Sequence, residues 1–180
     1  VIGDLVQLSD YVWERTRGRL QGLIDAEYFW EPVSGCWSLR PDANGAYRAD
    51  WEAGLSPPPV TTVAWRIWHL VGVYGERRNR EWLGLPPGQA ADRFERTAPA
   101  PPSAMAAAEA LGAAHAEWAT VLSMLTDATL QEKLGAVAGP FAGSDKAGFV
   151  LHMIDEAIHH AAEVELLRDL WRGQMAPADE

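Results

Sequence analysis

Cysteine is almost absent from the 180-residue chain, Cys36 being the only one. A single thiol excludes an internal disulfide framework and any multi-cysteine zinc or iron–sulfur site. With no histidine near it in sequence, Cys36 reads as an ordinary half-buried thiol and not as a nucleophile. Positive charge is scarce as well. Fifteen Lys and Arg stand against 25 Asp and Glu, a net charge of −10, which argues against nucleic acid or an anionic membrane surface as a partner. No apolar run approaches the ~18 uninterrupted residues of a membrane span, and no charged-then-apolar leader opens the sequence, so a cytoplasmic location is expected. Strand-like alternation of useful length and fixed-period repeats are also missing. So is His-Glu-x-x-His, which removes the helical metalloprotease motif. Glu156-x-x-His159 is the one Glu-x-x-His unit, whereas a di-iron bundle needs two.

What is present is helical periodicity in four segments, separated by Pro/Gly-rich stretches. The first is predicted from about Asp4 to Asp25, with Leu5, Leu8, Val12, Leu20 and Leu23 as its stripe. The second should start at a Thr61 or Thr62 cap and run to about Leu83, apolar on nearly every side between Val63 and Tyr74. The third follows Ser103 and carries Leu111, His115, Trp118, Leu122 and Leu125. The fourth, capped by Ser144 or Asp145, runs to about Trp171. Between the first two lies a breaker-rich stretch from Glu27 to Pro59, with Trp30, Trp37 and Trp51 in it and Trp65 just beyond. The length suits one domain, residues 1–180, folded as an all-α four-helix bundle with a long aromatic-rich loop between helices 1 and 2.

Angular position singles out the fourth helix. With Glu156 at zero and 100° per residue, Phe149, Met153, Val164, Leu167 and Trp171 fall in an arc of roughly 20–80°. Glu156 and His160 fall in or at the rim of that stripe, with His152 and His159 on its shoulder. A carboxylate and an imidazole one turn apart in an apolar stripe need partners, because an uncompensated buried charge costs several kcal/mol. Three readings compete: a satisfied structural network, a metal site using the i, i+4 pair, or an acid/base pair without metal. A metal site needs a third ligand from another helix. His69, on the most buried helix, and His115, on the stripe of the third, are the candidates.

The segments TTVAWRIWHL (Thr61 to Leu70) and HMIDEAIHHAAE (His152 to Glu163) resemble the two signature segments of the DinB/YfiT-like superfamily of metalloenzymes. LIDAEYFWEP (Leu23 to Pro32) and CWSLR (Cys36 to Arg40) resemble the loop after helix one in its actinobacterial branch. The resemblance covers nearly the whole chain. It implies an up-down-down-up bundle with one divalent ion between helices two and four. It makes His69, Glu156 and His160 the ligands, with Glu156 where many members have a histidine. The His-Glu-His set is similar to that of the mycothiol-dependent maleylpyruvate isomerase branch, whose larger C-terminal domain has no counterpart in the sequence. Zinc is the default ion for two histidines and a carboxylate, with nickel, manganese and iron tolerated by the same set.

Relatives include transferases that join a low-molecular-weight thiol, such as mycothiol, to a small-molecule electrophile, and the expected function is a thiol S-transferase. In that reading His159 is the base, Trp37 and Trp65 (with Trp30) wall the pocket, and Arg40 and Arg66 hold the anionic thiol. The Glu27–Pro59 segment is expected to form the mouth, with Trp37 or Trp30 lining a cleft to the ion. A homodimer is the expected assembly. The alternatives are a metal-binding stress-response or interaction bundle without turnover, and a metal-dependent hydrolase.

Overall fold

The computed structural model describes residues 1–88 and 94–175. Its first helix, α1 (Ile2–Leu20), buries Leu5, Ser9, Val12, Thr16 and Leu20 at helical spacing. It ends five residues earlier than the periodicity predicts, because Arg168 reaches over from the far end of the chain. That guanidinium donates to the carbonyls of Arg19 and Gln21 and forms a two-pronged pair with Glu27 at 2.6 and 3.0 Å. The carbonyls left open at a helix C-terminus are thereby satisfied from another helix. Gly22, at φ 69, then turns the chain, and a single turn, α2 (Asp25–Tyr28), follows.

The loop region holds a small hairpin that the sequence pattern missed. Strands β1 (Leu39–Pro41) and β2 (Tyr47–Ala49) pair antiparallel, Leu39 opposite Ala49. Three-residue strands are too short to show a period of two. The turn is made by Asp42, whose carboxylate accepts from the backbone N–H groups of Asn44 and Ala46, and by Gly45 at φ 81. Trp37 anchors the hairpin to the next helix: its N–H donates to Val60 and its carbonyl accepts from Thr62, both at 2.9 Å.

Helix α3 (Val63–Gly75) is capped by Thr62, whose hydroxyl accepts from the Trp65 N–H. It is buried on most of its circumference, Ile67, Leu70 and Trp68 among the core residues. The expected continuous helix to Leu83 is broken in two, with α4 (Arg78–Leu83) as a separate piece. The buried Asn79 side chain donates to the carbonyls of Val73 and Tyr74. It thus caps α3 and ends its ladder. Helix α5 (Ala104–Ser123) starts at the Ser103 cap as expected. A short α6 (Asp127–Leu130) and a 3₁₀ turn (Ala136–Phe141) precede α7 (Lys146–Met175).

The four long rods are α1, α3 with α4, α5 and α7. Contacts along them fix their directions. Arg15 and Arg19 meet Glu165 and Asp169, so α1 and α7 run parallel, while the Ala104 N–H on the carboxylate of Asp25 and the Ile2 N–H on that of Asp127 make α5 antiparallel to α1. Arg66 pairs with Glu163 while Trp82 packs on Phe149, which sets α7 antiparallel to α3 and α4. The order is therefore up-down-down-up, with α3 between α5 and α7. No helix among the described residues is long and apolar enough to cross a membrane.

Arg168 and Glu27 are 1% and 4% exposed at their side chains. Removing one partner leaves the other charge buried, so Glu27→Ala should cost about 3–5 kcal/mol of stability. The double replacement Glu27→Met with Arg168→Leu should cost much less. Urea denaturation of both variants checks this; equal losses would mean that the pair does not hold α1 to α7.

Candidate metal centre

His69 sits mid-way along α3, and Glu156 and His160 lie one turn apart on α7, facing it. The buried face of α7 is wider than the apolar stripe. It also takes in Val150, Ile154, Ala157, Ala161 and Arg168, which lie at roughly 100–160° on the same wheel. Packing against two neighbours, α3 and α1, demands that width. It leaves Glu156 at the rim, 31% exposed, and His160 inside it, at 10%.

The antiparallel seam brings the three side chains together. His69 Nε2 and His160 Nε2 lie 3.6 and 3.2 Å from one oxygen, Oε2 of Glu156. All three ligand atoms are within 4.8 Å of one another. The edge of a tetrahedron with metal–ligand bonds of ~2.0–2.2 Å is ~3.3–3.6 Å, so the two spacings to Glu156 are close to those that one divalent ion requires. The imidazole rings are perpendicular, with centroids 4.5 Å apart, so the two nitrogens converge without stacking.

Hydrogen bonding assigns the tautomer of His160. Its Nδ1 lies 2.6 Å from Glu163 Oε2 and 3.2 Å from a terminal nitrogen of Arg66. A guanidinium only donates, so the shorter contact to the carboxylate requires the proton on Nδ1. The lone pair of the neutral ring is then on Nε2 and points at Glu156. Two acceptors facing each other at 3.2 Å call for a shared cation or a proton between them. Glu163 is in turn held by Arg66 Nε at 2.9 Å. A carboxylate behind a histidine ligand is the outer support that fixes ring orientation and raises ligand basicity.

Electrostatics favour the ligand forms. Burial, then the neighbouring His160, push His69 down to about 4, against the pull of Glu156, so it is neutral at pH 7. Burial opposes ionisation of Glu156 and Glu163, but it is outweighed. His160, His152 and His69 hold Glu156 below the usual carboxylate range. His160 and Arg66 do the same for Glu163. Two nitrogen donors and one carboxylate, a set suited to a divalent ion, result.

His115 is elsewhere, packed as expected for the rival candidate. It stacks on Trp13 at 4.2 Å, but its buried Nε2 has no hydrogen-bond partner among the described residues. Trp65 stacks on His69 at 5.3 Å, and Trp37 stands behind it, 5.5 Å from Trp65. Arg66 lies over Trp65 as well as on Glu163. Arg40 is on the hairpin, bound to Glu31 and Asp50. His159 is 63% exposed, its Nε2 3.4 Å from the outer oxygen of Glu163.

A narrow cleft of about 50 Å³ reaches His69 and Glu156 between α3, α4 and Phe94, and Arg78 and Arg96 line it. Neither Trp37 nor Trp30 is in its wall. Trp30 packs against Trp171 instead. Sequence reasoning missed Glu163, although its spacing three after His160 on one helix face was a usable signal. It also missed Arg78 and Arg96, for which no local signal exists.

Two outcomes follow. Glu163→Gln should keep the fold and weaken ion binding about 10–100-fold, measured by competition titration with cobalt; unchanged affinity would remove Glu163 from the site. In metal-free protein, His69 titrates at about 4 when folded against 6.5 otherwise. The unfolded chain then binds the extra proton between those values, so stability falls as pH drops through that window. His69→Gln should show a shallower loss between pH 6.5 and 4 in urea titrations, and an identical slope would contradict the assignment.

Known proteins add one finding. A family profile described as DinB superfamily matches residues 9–164, a span that includes His69, Glu156, His160 and Glu163. No curated protein and no solved structure matches the chain. With the match extending over most of the sequence and the bundle built in the same region, the chain belongs to the DinB superfamily.

Proposed function

We propose that the protein is a divalent-metal-dependent thiol S-transferase, joining a low-molecular-weight thiol such as mycothiol to a small electrophile. The observation that carries this reading is the position of the cluster: His69 and Glu156 form part of the wall of a solvent-reaching cleft, while His160 is held behind them. Three donors on one side leave the cleft side for a substrate atom. About 50 Å³ suits a group the size of a thiol or a few waters, and not a whole electrophile. The single carboxylate among the ligands is the feature shared with the mycothiol-dependent branch.

His69, Glu156 and His160 would hold the ion, zinc by default. When bound, the ion lowers the pKa of a coordinated thiol and makes thiolate available at neutral pH. The chain's own groups do the rest. Glu163 keeps the proton on His160 Nδ1, and Arg66 fixes Glu163. His159, on the solvent side of Glu163 and outside the cleft wall, would accept the thiol proton by way of water. The sulfur then forms its bond to carbon as the leaving group departs. Arg96, in the cleft wall, would hold an anionic thiol, while Arg66 stays on Glu163 and Arg40, already paired twice, contributes to the hairpin. Trp65 stacks on His69 and would keep that ligand's ring in place, with Trp37 behind it.

Elemental analysis of untagged protein, followed by thiol consumption with a generic electrophile, tests the reading. One equivalent of metal and thiol-dependent turnover are expected, and Glu156→Ala should lose both, the rate falling at least ~100-fold. Metal with ester hydrolysis but no thiol dependence would replace the transferase by a hydrolase. Full activity in Glu156→Ala would leave a bundle whose role is interaction.

A further inference from the structure

The narrow cleft is too small for a second substrate, yet a larger cavity shares a wall with it. A cavity of about 450 Å³ opens between α4, the 3₁₀ turn and the first turns of α7. Its size falls in the range of small-molecule sites. Trp82 is its floor, with Phe149 at 5.1 Å and Phe141 at 5.8 Å between ring centroids, and Leu134 closes one side. Phe141 is 57% exposed. The turn that carries it is held in that shape by Gly139, at φ 54, in the left-handed region that favours glycine.

Charge gives the cavity its polarity. In a chain of net charge −10, no carboxylate among the described residues lines this space, whereas Arg78 and His152 do. Arg78 lines both the cavity and the narrow cleft. It pairs with Glu76 through Nε at 2.6 Å and lies over Trp82, and a guanidinium has four further N–H donors for a planar carboxylate. His152 is one turn before Glu156 on α7.

We propose that this cavity binds the second substrate, and that its chemical class is a small aromatic carboxylic acid. The ring lies among Trp82, Phe141 and Phe149, and the carboxylate rests on Arg78 at the boundary with the metal cleft. The pocket's role as the electrophile site rests on the transferase reading above; its binding chemistry does not.

Calorimetry with 2-naphthoate and the uncharged 2-naphthalenemethanol, on the full chain as purified, tests the pocket. Naphthoate should bind more tightly than the alcohol. Arg78→Gln should weaken naphthoate about tenfold, to the level of the alcohol, without changing the alcohol. Phe141→Ala, at an exposed position, should weaken both about fivefold. Naphthoate should also change the absorption spectrum of cobalt-loaded protein. No naphthoate binding, or equal binding by both variants, would overturn the pocket while cobalt uptake left the metal reading intact. Binding without any change in the cobalt spectrum would overturn the link to the cleft. Failure of cobalt to bind, with the variants behaving as stated, would support the pocket and remove the metal-dependent reading.

Discussion

Polar groups in the seam between α3 and α7 find one another because the packed helices leave them only partial access to water. Arg66, His69, Glu156, His160 and Glu163 all lie on this antiparallel contact. Each is partly or largely buried, and burial of an unpaired charge costs several kcal/mol. The result is a chain of pairs, Arg66 to Glu163 to His160 to Glu156 to His69, that runs from a guanidinium to a cluster of donor atoms. The outer end is closed by a cation that the chain supplies. The inner end calls for one that it does not.

A second buried pair sets the frame in which this seam exists. Arg168 on α7 satisfies the last carbonyls of α1 and the carboxylate of Glu27. It fixes where α1 stops and how the chain enters the long loop. The hairpin and Trp37 then return the chain to the Thr62 cap, so the start of α3 is positioned by the loop and not only by its own apolar residues. Register of α3 against α7 decides whether His69 faces Glu156. One residue of slip would rotate it by about 100°. The aromatic packing of Trp37, Trp51 and Trp65 is thus connected to ligand geometry through Trp65 on His69.

The breaks in the second helix have a functional consequence. Asn79 ends α3, and α4 restarts after Glu76 and Arg77, with Arg78 and Trp82 near the start of α7. There they line the cavity beside the cleft. Capping by a buried amide is a tertiary matter, for the carbonyls accept from a side chain only once the chain has folded back.

The sequence by itself determined the helical class, the Ser103 cap, a threonine cap at 61 or 62, the four rods and the family. These depend on periodicity and short-range hydrogen bonds, which are local and survive reading in one dimension. It also placed Glu156 and His160 on one face of α7, because four residues nearly complete a turn. It left His69 and His115 level as partners on residue chemistry alone, and only the family resemblance preferred His69. What tertiary structure decided was convergence: that His69 and not His115 meets the pair, that Glu163 and Arg66 stand behind His160, and that Arg168 ends α1. It also moved the mouth of the cleft from the tryptophan loop to Arg78, Arg96 and Phe94. Such placements depend on which faces of separate helices meet, and on long side chains that reach across them. Neither the spacing of a single segment nor its composition carries that information.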